Sequence, residues 1–243
     1  MDNRYYFNEI NNGIVTITGG EAQHLSKVRR AQVGDDIVGF NGDGFDYNLE
    51  ISAISKDKVQ AKVLSKSTNR ASGENNICVY LAMIKNDALT TAIDNLAELN
   101  VKEVKLFASD FSVAVIDEKK LEKLNNICIQ ASKQCERADI MKVSIIKKQD
   151  IESDIEQYQN KFFAYEDSTG KVESFSGDFA VIIGPEGGFS PDEIEGICPT
   201  NKGEGFSLAL EEKSHRISLG RRILRTETAG LATLAMLIFC LDE

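Results

Sequence analysis

Val181-Ile-Ile-Gly-Pro-Glu-Gly-Gly-Phe-Ser190 carries an apolar run straight into a glycine-rich turn. Phe179 to Ile183 is continuous and apolar, which suits a central parallel strand covered on both faces better than a half-exposed one. Gly184, Gly187 and Gly188 leave room for a ligand to touch the backbone, and Pro185 stiffens the turn. Ser190, Pro191 and Glu193 match an N-cap, a first-turn proline and a capping-box glutamate, so a helix is predicted to start there. Ligands of open α/β sheets collect at the carboxyl ends of strands, where this loop would lie. A sharp structural turn accounts for the same residues equally well.

A second polar loop follows in Ile217-Ser-Leu-Gly-Arg-Arg-Ile-Leu-Arg-Thr-Glu-Thr-Ala229. It joins a short strand to an apolar C-terminal helix. Taken singly, Thr226, Glu227 and Thr228 cap that helix, and Arg221, Arg222 and Arg225 face water. Neither a Walker A motif nor a Gly-x-Gly-x-x-Gly fingerprint is present.

Upstream of these loops the chain alternates strand and helix. Strands are predicted at Val79–Ile84, Val104–Ala108, Val143–Ile146 and Phe162–Tyr165. Helices are predicted at Asp87–Asn100, with Asn100 as a left-handed cap, and from Asp117 to about Arg137. This is a mainly parallel α/β domain. Residues 4–67 read differently, as short strands at Ile14–Thr18, Asp36–Phe40, Tyr47–Ser52 and Val59–Leu64 separated by glycine turns, a pattern of small β-barrels. Within it, Glu21–Arg30 reads as a short helix that brings His24, Lys27 and Arg30 together. Lys27, Arg29 and Arg30 suit phosphate contacts or a solvated basic face. Ser65–Asn76, rich in small polar residues, reads as the linker. The domain boundaries are thus set at 1–70 and 74–243.

Composition narrows the functional classes. The chain has 243 residues and a formal charge of -10, which argues against a generally basic nucleic-acid binder. The first 70 residues, however, balance nine Lys/Arg with nine Asp/Glu, so a basic surface there is compatible with the acidic remainder. Five cysteines without a Cys-x-x-Cys pair, and only two histidines, His24 and His215, imply reduced thiols in a cytoplasmic protein and no structural metal. Met1–Glu9 lacks the apolar core of a signal peptide. Ala229–Leu241 is too short to span a membrane.

Taken together, His24 with Val28 and Arg30, Ile183–Ser190, and Leu219–Ala229 resemble the bacterial 16S ribosomal RNA uridine N3-methyltransferases of the SPOUT superfamily, the RsmE family. The resemblance runs from the N-terminus to about Leu241. It implies a PUA-like β-barrel followed by a trefoil-knotted α/β methyltransferase domain that forms a homodimer. It further implies S-adenosyl-L-methionine as cofactor, and 16S ribosomal RNA or the small ribosomal subunit as partner. The cofactor loops would contribute Ile183, Gly184, Pro185, Glu186, Gly187 and Gly188, then Ser218, Leu219, Gly220, Ile223, Leu224, Arg225, Thr226 and Thr228. Arg225 is the candidate for stabilising charge on the uracil, and Glu227 or Glu186 for accepting its N3 proton. His24, Lys27, Arg29, Arg30 and Arg137 would face RNA. The chain departs from the family's expected residues at Asn95, Phe111 and Lys133, and the run from Gly196 to Ser214 is longer than usual. Those departures leave open an RNA-binding or ribosome-assembly protein that keeps the fold without the chemistry.

Overall fold

The computed structural model describes residues 3–112, 114–164, 172, 174–197, 214–219, 222 and 224–241. In chain order the elements are β1 (Arg4–Tyr6), β2 (Ile10–Asn11), β3 (Ile14–Thr18), α1 (Gly19–Gln23), β4 (Asp36–Phe40), β5 (Phe45–Ile54), β6 (Lys58–Thr68), β7 (Ile77–Ala82) and α2 (Asn86–Glu98). There follow β8 (Glu103–Phe107), α3 (Glu118–Gln134), β9 (Lys142–Ile145), α4 (Ile151–Ile155), β10 (Asn160–Ala164), β11 (Phe179–Ile183), α5 (Pro191–Ile197), β12 (Ser214–Ile217) and α6 (Thr226–Cys240). They pack into two compact units, Met1–Gly73 with Ile129–Ile140, and Glu74–Cys128 with Met141–Glu243.

The first unit holds a six-stranded sheet in the order β1-β4-β5-β6-β3-β2, antiparallel except where β1 meets β4. Alternate residues of these strands, among them Val15, Ile17, Leu49, Ile51, Val59 and Ala61, are buried in one core with Tyr5, Phe7 and Leu25. That core leaves no room at Gly39, where a Cβ would lie 2.5 Å from Leu49 Cδ1 and 2.8 Å from Phe7 Cε1.

The expected linker at Ser65–Asn76 is corrected. Strand β6 continues to Thr68, with Ser65 opposite Asn48 and Thr68 opposite Phe45. The stretch looks like a linker because its side chains are polar, yet Lys66 lies over the Phe45 ring at 3.7 Å and pairs with Asp43 at 3.2 Å. Asn69 then organises the turn: its side-chain oxygen accepts the N–H groups of Ala71 and Ser72, and its amide donates to Asp46 and to the Glu136 carbonyl.

The second unit is built on a wholly parallel sheet in the order β12-β10-β11-β7-β8-β9. Strands β7 and β11 are buried throughout, as continuous apolar runs should be at the centre of a parallel sheet. Helix α2 ends as its sequence indicates. Asn100 takes φ 62°, and the N–H groups of Asn100 and Val101 return to the carbonyls of Ala97 and Leu96, closing a Schellman motif. The 196–214 extension lies for the most part outside the described residues.

Candidate functional site

A parallel sheet gathers the loops that follow its strands along one edge. Four of them matter here: those after β8, β9, β11 and β12. Ser190 and Glu193 form the expected reciprocal capping box at α5, with Ser190 N–H donating to Glu193 Oε2 at 3.0 Å and Glu193 N–H donating to Ser190 Oγ at 3.2 Å. Glu193 also does what its sequence did not reveal. It is 2% exposed, and it accepts the Asp110 N–H at 2.8 Å, the Ser109 hydroxyl at 3.1 Å and the Lys148 ammonium at 3.3 Å. Lys148 bonds Asp110 as well, and Ser190 Oγ donates to Asp110 at 2.6 Å. These bonds, led by that from Lys148, hold the Asp110 carboxyl below its ordinary range, and Asp110 in turn raises Lys148. One buried carboxylate thus fastens the loops after β8, β9 and β11 together. Asp110 and Lys148 were not legible as members because they come from separate loops without a motif.

The three glycines of the turn have three different reasons. A Cβ on Gly184 would lie 2.6 Å from the Phe189 ring, which folds back under the turn to meet Phe163 with centroids 4.7 Å apart. At Gly187 a Cβ would approach Phe111 Cβ at 3.1 Å. Gly188 has φ 72°, and its N–H closes the turn on the Pro185 carbonyl at 3.0 Å. Room at Gly184 is therefore filled by the loop's own phenylalanine. Gly187 and Glu186 are exposed, whereas Pro185 is buried.

Helix α6 brings the second loop to this turn. A Cβ on Gly230 would lie 3.5 Å from Ile183 Cδ1, so the first turns of α6 sit against the end of β11. Thr226 is one helical turn before Gly230 on the same face, is 2% exposed, and its hydroxyl has no hydrogen-bond partner among the described residues. A buried hydroxyl left unpaired is costly, and it is the donor or acceptor a bound polar molecule would satisfy. Arg225 occupies the N-cap position with extended backbone and an exposed side chain. Ser218, Leu219, Leu224 and Glu227 are half-buried and Thr228 is exposed; Gly220 and Ile223 lie outside the described residues. Among the described residues, no hydrogen bond or ion pair joins Glu186, Arg225 and Glu227. The two histidines take separate parts: His215 stacks on Phe162, with burial lowering its pKa, and His24 Nδ1 pairs with the Tyr5 hydroxyl at 3.3 Å.

The basic candidates for RNA contact in the first unit follow α1: Lys27 lies on a single π-helical turn, His24–Val28, and Arg29 and Arg30 come directly after it. Lys27, Arg29 and Arg30 are exposed there, Arg29 donates to Asn3, and Arg30 takes φ 53°. Such turns and left-handed non-glycine residues are found at functional sites more often than in ordinary helices. Arg137 is a correction. It is 1% exposed and forked on Asp139 at 2.7 and 3.1 Å, while its carbonyl accepts from Arg4 at 2.9 Å. A guanidinium so placed organises the unit and presents no surface to RNA. Lys133 pairs with Glu21 at 2.7 Å and lies over the Tyr5 ring at 4.7 Å, also as part of that unit's structure. Asn95 is half-buried on α2, and Phe111 is half-exposed. Among the described residues, no three metal-ligating side chains cluster, and no helix is long and apolar enough to cross a membrane.

Residues 72–238 match the family described as RNA methyltransferase domain. The chain belongs to that family. Within the methyltransferase, residues 17–64 match the RNA methyltransferase PUA domain, a span from the end of β3 into β6. It is similar to ribosomal RNA small subunit methyltransferase E of Bacillus subtilis, 29% identical over 242 residues that cover 92% of this chain and 89% of that one. The protein of the same name from Rickettsia conorii is 27% identical, covering 96% and 93%. A protein of Legionella pneumophila solved with the cofactor SAM bound is 25% identical, with a TM-score of 0.80 and coverage of 99% and 98%. The methyltransferase therefore has the same architecture over nearly its whole length.

Proposed function

We propose that this protein transfers a methyl group from S-adenosyl-L-methionine to N3 of a uridine in 16S ribosomal RNA, acting as a cytoplasmic homodimer with a trefoil-knotted catalytic domain. The observation that carries the reading is the pairing of the Ile183–Gly188 turn with the start of α6. There the Thr226 hydroxyl, without a partner among the described residues, sits one turn from the helix contact with Ile183. The residues fit the cofactor, since an adenine ring takes a flat apolar slot and backbone hydrogen bonds more than charged side chains. Ile183, Pro185, Leu219 and Leu224 would supply the slot, and the turn's backbone and Thr226 the polar contacts. When bound, the cofactor supplies an electrophilic methyl group on sulfur.

The chain's own residues have to manage the uracil. N3 is weakly acidic, so its proton must leave and the resulting charge must be stabilised. Arg225, exposed at the N-cap of α6, would offer the cation, and Glu227 or Glu186 would take the proton. Lys27, Arg29 and Arg30 would grip phosphates from the first unit. Dimerisation through α6 is supported by its composition, apolar on almost every side, and by Phe239, 90% exposed near its end.

Nucleoside mass spectrometry of small-subunit RNA from cells lacking the protein tests the reading. We expect loss of one N3-methyluridine, restored by purified protein with S-adenosyl-L-methionine. A different lost methylated base would keep the enzyme and overturn the substrate; identical profiles would favour a binding-only role.

A further inference from the structure

Phe111 is an aromatic side chain, 50% exposed, in the loop that the Glu193 carboxylate fastens to the glycine turn. Its loop is fixed twice over. Glu193 holds Ser109 and the Asp110 N–H on one side, while the Ser112 N–H donates to the Ser109 carbonyl at 2.9 Å and the Ser109 N–H donates to Ser112 Oγ at 3.1 Å. Phe111 lies beside Gly187, where any side chain would crowd it: a Cβ there would meet Phe111 Cβ at 3.1 Å, Cγ at 3.6 Å and Cδ2 at 3.8 Å. Exposing half of a phenyl ring on a rigid loop is unfavourable for the free protein and favourable once a flat partner covers it.

We propose that Phe111 is the platform on which the target nucleobase stacks while it is methylated. The proposal rests on the RNA methyltransferase reading and adds to it a positioning residue. An enzyme that alters a base must take it out of its stack and hold it in a new one, and aromatic side chains do this for any base because every base has a π-face. A base held by its faces keeps its edge open. That suits reaction at N3, which lies on the edge used in base pairing. Phe111 stands beside the turn assigned to the methyl donor, so a base stacked on it would present its edge close to that turn.

The sequence contains no tryptophan, so Phe111→Trp makes one fluorophore at the proposed platform. With S-adenosyl-L-methionine present, a short oligouridylate should quench its emission, whereas the same backbone without bases should not. In methylation assays on small-subunit RNA, Phe111→Ala should lower kcat/KM about tenfold or more, mostly through KM, with cofactor affinity by calorimetry unchanged. Phe111→Tyr, which keeps a flat ring, should restore the rate; Phe111→Leu, apolar but not flat, should not. The platform is refuted if Phe111→Leu matches the wild type, or if oligouridylate binds by anisotropy without quenching. It is refuted equally if Phe111→Ala turns a dimer into a monomer, which would assign the ring to a protein contact. A wild-type protein that binds no cofactor would instead remove the methyltransferase reading itself, and the platform with it.

Discussion

The Glu193 carboxylate accepts the main-chain N–H of Asp110 at 2.8 Å across 83 residues of chain. It is the same carboxylate that caps its own helix, so one side chain sets both the entry of α5 and the position of the loop after β8. Replacing it by alanine strands the N–H groups of Asp110 and Ser190 and the Ser109 hydroxyl. Glu193→Ala should lower stability in urea by about 3 kcal/mol, and Glu193→Gln, which keeps the acceptor oxygen, by about half of that. Equal losses would mean that charge rather than hydrogen bonding holds the loops.

Gly184 is required by Phe189 more than by a ligand. Gly184→Ala should cost about 1–3 kcal/mol, because its Cβ would lie 2.6 Å from a ring packed in the core. Combining it with Phe189→Leu should cost less than the two single changes added together, as measured by a double-mutant cycle in thermal or urea unfolding.

Arg30 separates stability from RNA affinity. With φ at 53° it is a non-glycine residue in a left-handed conformation, so Arg30→Gly should leave stability within about 1 kcal/mol of the wild type or raise it. Affinity for ribosomal RNA should nonetheless fall, and the slope of log K against log salt should lessen by about one. Arg137→Ala should do the reverse, lowering the melting temperature first, because it removes a buried guanidinium and unpairs half-buried Asp139.

Acid and alkaline limits of stability are set in part by one cluster. Burial alone would raise the Asp154 carboxyl, but hydrogen bonds from Lys105 at 2.5 Å and the Tyr80 hydroxyl at 2.6 Å outweigh it and hold it below 3.8. Burial likewise opposes the charge on Lys105, and its bond to Asp154 prevails, raising it above 10.5. Asp154 is depressed on folding, so its contribution is present above pH 3.8 and is lost as pH falls through the lower folded value. Lys105 is raised, so its contribution is complete below pH 10.5 and lost as pH climbs through the higher folded value. Asp154→Asn should lower the plateau by about 2 kcal/mol and flatten both limbs in urea titrations.

Thiol chemistry should follow burial. Cys78 is fully buried and pushed up to about 12 by desolvation, and Cys128 is also fully buried. Neither should react with iodoacetamide at about pH 8 until the protein unfolds, whereas, of the four cysteines among the described residues, half-buried Cys135 and Cys240 should react first in a peptide-mapping experiment.

Local rules carried much of the architecture. The apolar run at Phe179–Ile183, the capping box at Ser190 and Glu193, and Asn100 at the end of α2 each state their structure within a few residues, and each is found as read. What the chain order hides is contact between distant segments. Lys66 and Asn69 look like linker residues until the Phe45 ring and the Asp46 carboxylate meet them. Arg137 looks like a phosphate ligand until Asp139 closes on it. Glycine is ambiguous for the same reason: Gly184 gives no sign in sequence that the occupant of its space is Phe189 rather than a ligand.

The first compact unit is discontinuous, and this orders its birth. Arg4 needs the Arg137 carbonyl, and Asn69 needs that of Glu136, so neither bond exists while only the first seventy or so residues have been made. During synthesis the small sheet must wait, partly unsatisfied, until residues 129–140 have left the ribosome. Its completion then reports that more than half the polypeptide has emerged, and a message truncated earlier would yield a sheet missing its last partners.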